Sequence, residues 1–166
     1  MKGSPETIKV GIAEMKLGLA PDKIRTSGLG SCVGAVIYDP VVKVAGMVHI
    51  MLPDSALAKG REPINHAKFA DTALTKLVDA LLAQGGKKER LKAKIAGGAQ
   101  MFQFDTKSEQ LRVGPRNVEA VKTVLEQLHI FLAAEDTGGN CGRTIIFDIE
   151  TSLMEVRTVN KGIAAI

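Results

Sequence analysis

Apolar stretches of strand length come in groups along this chain, and only two segments carry the repeating stripe of an amphipathic helix. Grouped strands with two irregularly placed helices do not give the strand–helix alternation of a doubly wound sheet. The pattern predicts an α+β fold: a layered α/β/β sandwich of mainly antiparallel strands with two principal helices, forming a single domain over residues 1–166. Ile8, Val10 and Ile12 alternate with Lys9 and Gly11, as in a half-buried strand. Residues 24–26 read as extended, and the runs 33–38 and 44–52, separated by Asp39-Pro40, read as neighbouring strands. Between Asn65 and Ala83 a helical stripe of Ala70, Leu74, Leu77, Val78 and Leu81 is capped by Asn65 and stopped by Gly85-Gly86. A strand at 93–96 ends in Gly97-Gly98, and Asn117 caps a second helix bearing Val118, Val121, Leu125 and Leu128. A strand near 130–134 and a strand pair at 144–149 and 153–159 complete the chain.

Composition narrows the function classes. With no Trp, one Tyr and five Phe, aromatic platforms for stacking nucleic-acid bases are scarce, so no nucleic acid is expected as a partner. The net charge of +4 is divided evenly between the two halves. The dense run Lys87, Lys88, Arg90, Lys92 and Lys94 reads as a solvated connector. Two cysteines give no disulfide framework, and Met-Lys-Gly-Ser-Pro-Glu leads into no apolar signal core, so the cytoplasm is expected. No apolar run reaches the ~20 residues of a membrane span, so direct insertion is not expected. Three histidines and two scattered cysteines form no zinc pattern, and no glycine pair ends in Gly-Lys-Ser/Thr, so neither a metal nor a nucleotide cofactor is expected.

The least ordinary segment is Ser27-Gly28-Leu29-Gly30-Ser31-Cys32. Its glycines permit backbone angles closed to other residues, and the N–H groups of Gly30, Ser31 and Cys32 can converge beside a sulfur. A cysteine nucleophile needs a base to supply its thiolate. His49 lies on the strand after the next turn, and pairing about Asp39-Pro40 sets Cys32 opposite a position near 48, within reach of the imidazole. Alternation puts His49 on the face of Met47 and Met51, away from Val48 and Ile50, a face that need not be the main core. Two readings stand: a nucleophile–base pair, or a buried small hydrophobe beside a hydrogen-bonded strand histidine. Cys141 has no obvious base and reads as a spectator, while capping and surface roles suffice for His66 and His129.

Thr26-Ser27-Gly28-Leu29-Gly30-Ser31-Cys32-Val33 followed by His49-Ile50-Met51-Leu52-Pro53 resembles the signature of the CheD family. Three further blocks resemble that family in the same order: Lys94 through Met101, Val113-Gly114-Pro115-Arg116-Asn117, and Gly138-Gly139-Asn140-Cys141-Gly142-Arg143. The resemblance implies a bacterial chemotaxis enzyme that converts glutamine side chains on methyl-accepting chemoreceptors to glutamate with release of ammonia. It implies a catalytic triad of Cys32, His49 and Thr26, with the Gly30-Ser31 loop as oxyanion site. It further implies a fold similar to the cytotoxic necrotizing factor catalytic domain, a CheC-type phosphatase as second partner, and a monomer when free. Whether Thr26 acts through its hydroxyl or its carbonyl stays open at this level. Segments 53–63 and 100–114 are the expected rim of a groove that accepts a receptor helix. The competing functions are a non-catalytic module that binds CheC and receptors, and a receptor methyl-ester hydrolase using the same site.

Overall fold

The computed structural model describes residues 4–58, 60, 63–101 and 112–166. In chain order the strands and helices are β1 (Thr7–Lys9), β2 (Met15–Leu19), β3 (Lys23–Leu29), β4 (Val33–Asp39), β5 (Val44–Ile50), α1 (Ala70–Ala83), β6 (Lys92–Gly97), α2 (Val113–Gln127), β7 (Phe131–Thr137), β8 (Arg143–Asp148), β9 (Leu153–Thr158) and β10 (Gly162–Ala165). They form two sheets, ordered β1-β3-β8-β9-β10 and β2-β5-β4-β6-β7. The β1–β3 and β6–β7 pairs are parallel; the other ladders are antiparallel. The result is a mixed fold of two helices and two mainly antiparallel sheets among the described residues, as the grouping of apolar runs led us to expect.

Strand alternation sorts β4 and β5 between two cores. Val33, Ala35, Ile37, Val48 and Ile50 pack with Leu74, Leu77, Leu81, Val121 and Leu125 of the helices. Val36, Tyr38, Ala45 and Met47 pack instead with Ile24, Ile145, Phe147 and Met154 of the other sheet. Both strands are buried along their whole length because each face has a partner, which is why they read as continuous apolar runs. Burying each Leu or Ile of this kind contributes about 1.5–3 kcal/mol before conformational entropy is subtracted. The face carrying His49 is therefore itself a core, between the sheets, and not the less buried side the alternation suggested.

The helix ends depart from expectation. Asn65 caps only a short 3-10 turn, His66–Lys68, accepting from Ala67 N–H, and α1 starts at Ala70 with Asp71 in its first turn. The stop is as expected: Gly85 takes φ +97° and Gly86 N–H donates to Leu81 O at 2.9 Å. Asn117 does not cap α2. The helix begins at Val113, with Pro115 in the first turn, where a missing N–H costs nothing. His129 follows α2 with φ +56°, and Ile130 N–H returns to Leu125 O, so this histidine shapes the helix end through its backbone.

The basic run is less solvated than its composition suggests. Arg90 forms an ion pair with the fully buried Asp39 carboxylate at 2.9 Å, and Lys87 N–H donates to the same group. Lys94 is buried and donates to Ser152 O and Ile166 O. Strands β2 and β10 had no counterpart in the sequence reading. Among the described residues, no helix is long and apolar enough to cross a membrane.

Candidate active site

His49 is held on β5 directly opposite Gly34 of β4, with its N–H donating to Glu14 O and its carbonyl accepting from Ala13 N–H. The missing side chain at Gly34 lets the second sheet approach: a Cβ there would stand 2.7 Å from Ile145 Cδ1 and 3.4 Å from Thr26 Cγ2. Thr26, on β3, thereby reaches His49 from the opposite sheet, with Oγ1 2.8 Å from Nδ1. The same hydroxyl donates to Val10 O at 2.7 Å.

That pair of contacts fixes the imidazole tautomer. A hydroxyl has one proton, and a carbonyl only accepts, so the proton of Thr26 goes to Val10 and Oγ1 must accept from Nδ1–H. Nε2 then carries the lone pair. It is buried and has no hydrogen-bond partner among the described residues. Burial lowers the pKa of His49, which keeps the ring neutral and Nε2 available as a base.

Cys32 immediately precedes β4, is half-buried and packs against the core between the sheets. The observed register pairs Val33 with Ile50 and Gly34 with His49. Continued one step, it sets Cys32 opposite Met51, not near 48. The difference decides the face: a partner at 48 would leave His49 on the other side of the sheet, whereas Met51 and His49 share one face. Cys32 and His49 are thus diagonal neighbours, at the roughly 7–8 Å spacing that long side chains bridge. Burial raises the pKa of Cys32 and lowers that of His49, so the resting groups are a thiol and a neutral imidazole.

The loop that carries Cys32 is tied down through its carbonyls. Gly30 O accepts from Ala99 N–H and Cys32 O from Gly98 N–H, each at 2.8 Å. Ser31 O accepts from the side chain of Asn117, which also donates to Met51 O, both at 2.9 Å. The glycines at these crossings are dictated by space: a Cβ on Gly97 would lie 2.3 Å from Cys32 O, and one on Gly114 2.1 Å from Ala99 O. Gly30 N–H donates to Gly28 O at 3.1 Å. Of the three N–H groups expected to converge, it is therefore already engaged, while Ser31 and Cys32 have no such bond among the described residues.

Cys141 donates to Asn140 Oδ1 within its own loop. Among the described residues no three His, Cys, Asp or Glu side chains gather into a metal site. The expected rim segments 53–63 and 100–114 lie partly outside the described residues, at 59, 61–62 and 102–111. Asn117 was missed as a site residue. Its signal was Pro115, which marks the start of α2 and puts position 117 inside the helix instead of at its cap.

Residues 51–158 match the family model described as CheD chemotactic sensory transduction. The chain is 56% identical over 157 residues to the chemoreceptor glutamine deamidase CheD of Halalkalibacterium halodurans, covering 95% of this chain and 96% of that one. It is 51% identical over 155 residues to the protein of the same name from Bacillus subtilis, covering 93% of each.

Proposed function

The chain belongs to the CheD family, and on that premise we propose that it is a chemoreceptor glutamine deamidase with Cys32 as nucleophile, His49 as base and Thr26 as the residue that orients the base. The observation that carries the assignment of roles is the Thr26–His49 contact, which leaves a proton-free Nε2 on the face that Cys32 shares.

The reaction follows from that arrangement. Nε2 takes the thiol proton as sulfur attacks the glutamine side-chain carbonyl, and charge develops on the amide oxygen, within reach of the Ser31 and Cys32 N–H groups. The imidazolium returns its proton to the amide nitrogen, the C–N bond breaks and ammonia leaves a thioester on Cys32. Water then gives its proton to Nε2 and attacks the thioester. The C–S bond breaks, the sulfur recovers the proton, and the side chain departs as glutamate. One imidazole serves both halves because it ends each in its starting tautomer. The Nδ1 proton never moves; Thr26 stabilises the transient imidazolium by accepting from it.

The methyl-accepting receptors are proposed as substrate, a CheC-type phosphatase as second partner, the cytoplasm as location, a monomer as the free state, and the cytotoxic necrotizing factor domain as the fold's likeness. Incubation of the purified protein with receptor tests the activity: ammonia release that is lost in His49→Ala supports it, and methanol release from methylated receptor without ammonia would favour the ester hydrolase instead.

A further inference from the structure

We infer that Asn117 is a positioning residue for the oxyanion site, acting through the peptide bond between Ser31 and Cys32; the inference rests on the deamidase reading above. Asn117 is fully buried in α2, and its amide donates both hydrogens, one to Ser31 O and one to Met51 O. The orientation of the amide is forced, because turning it over would set Oδ1 against two carbonyl oxygens. Oδ1 itself is buried without a partner among the described residues, so the side chain leaves an acceptor unsatisfied while making these two donations. An unsatisfied buried acceptor is a cost that a merely space-filling Leu at this position would not incur.

The geometry explains what the donation achieves. The Ser31–Cys32 peptide is trans, so its C=O and N–H point in opposite directions within one plane. Holding Ser31 O towards α2 turns Cys32 N–H away from α2. Of the three successive carbonyls anchored here, Gly30 O and Cys32 O are held by main-chain N–H groups, and among the described residues Asn117 is the side chain that holds the one between them. The second donation, to Met51 O, occupies the other amide hydrogen and so keeps the side chain turned towards Ser31 O, while the β4–β5 ladder sets the register of the two strands. Both of these hydrogen bonds go to backbone carbonyls, which is the basis for calling Asn117 a positioning residue.

Two reactions of one sulfur separate this role from a structural one. Deamidation passes through a tetrahedral oxyanion, whereas alkylation by iodoacetamide displaces iodide at carbon and forms none. In Asn117→Ala, kcat for receptor deamidation is expected to fall on the order of 100-fold, as for loss of one oxyanion donor, with KM and the pH profile of Cys32 alkylation unchanged. Asn117→Ser, which leaves a hydroxyl donor, replaces it if the alanine protein does not fold, and the same split is expected. Unchanged kcat, a parallel loss of both rates, or failure of both variants to fold would overturn the inference. Wild-type and Cys32→Ala proteins run alongside: absence of deamidation in the first, or its persistence in the second, would instead overturn the deamidase reading.

Discussion

At the scale of single residues, the proposed mechanism turns on the proton on Nδ1 of His49. It is placed there by a threonine hydroxyl whose own proton is taken by Val10 O, so removing the hydroxyl frees the ring to adopt either tautomer. Thr26→Ala is expected to lower deamidation on the order of 10-fold or more and to cost about 1–3 kcal/mol of stability, since Val10 O and Nδ1 lose their buried partner together. Thr26→Ser should restore most of both; equal losses in the two variants would assign the effect to packing. The pH dependence of stability follows from the same ring. Because burial depresses the pKa of His49, the unfolded chain takes up a proton below ~6.5 where the folded one does not, so stability falls as pH drops from that value through the depressed one. Urea midpoints between about pH 7 and about pH 5 should therefore change less in His49→Gln than in the wild type. The proposal of Cys32 and His49 as the pair was already available in the sequence, from the glycine-rich loop and the family blocks. The tautomer was not, because it depends on a carbonyl sixteen residues from Thr26 that only the packing of the two sheets brings near.

At the scale of elements, the site depends on register and close approach. The four residues between β4 and β5 set Gly34 opposite His49, and a shift of one residue would send the imidazole into the helix-facing core. That turn is held by Asp39. Burial by itself would push this carboxyl up, but Arg90 and the N–H groups of Lys87, Val41 and Val42 outweigh it and hold the pKa at about 2. A lowered carboxylate pKa contributes stability above the unfolded value near 4 that is lost as pH falls towards the folded one, so acid unfolding between about pH 4 and 2 should be weakened in Asp39→Asn. A second element-scale expectation concerns the crossing of β6 with the nucleophile loop. Gly97→Ala places a Cβ against Cys32 O at a backbone angle of φ +108°, and should cost more stability than Gly85→Ala, whose φ is +97° in open space and whose strain is about 1–2 kcal/mol. Comparable melting temperatures for the two would remove the steric argument. Strands β4 and β5 were legible because both of their faces are buried. The alternation of Met15, Leu17 and Leu19 was there to be read for β2, whereas β10 is exposed throughout and is held by its ladder to β9, which leaves no apolar pattern.

At the scale of the whole molecule, one sheet serves two cores. Residues of β4 and β5 alternate between the helices on one side and the second sheet on the other, so the two cores are built on the same strands. We expect one cooperative transition over the whole chain, with calorimetric and van't Hoff enthalpies equal; two separable transitions would contradict the single-domain assignment. The layered arrangement was legible from the grouping of apolar runs, but the depth of His49 was not, because alternation identifies a face without saying what covers it. The same central position of the sheet brings Thr26 from one layer, His49 and Cys32 from the next, and Asn117 from the helices to one end of the molecule. The most direct measurement is deamidation of purified receptor, followed as the mass gain at glutamine on conversion to glutamate, by the wild type, Cys32→Ala and Cys141→Ser side by side. The account predicts conversion by the wild type and Cys141→Ser and none by Cys32→Ala; conversion by Cys32→Ala at the wild-type rate would contradict it.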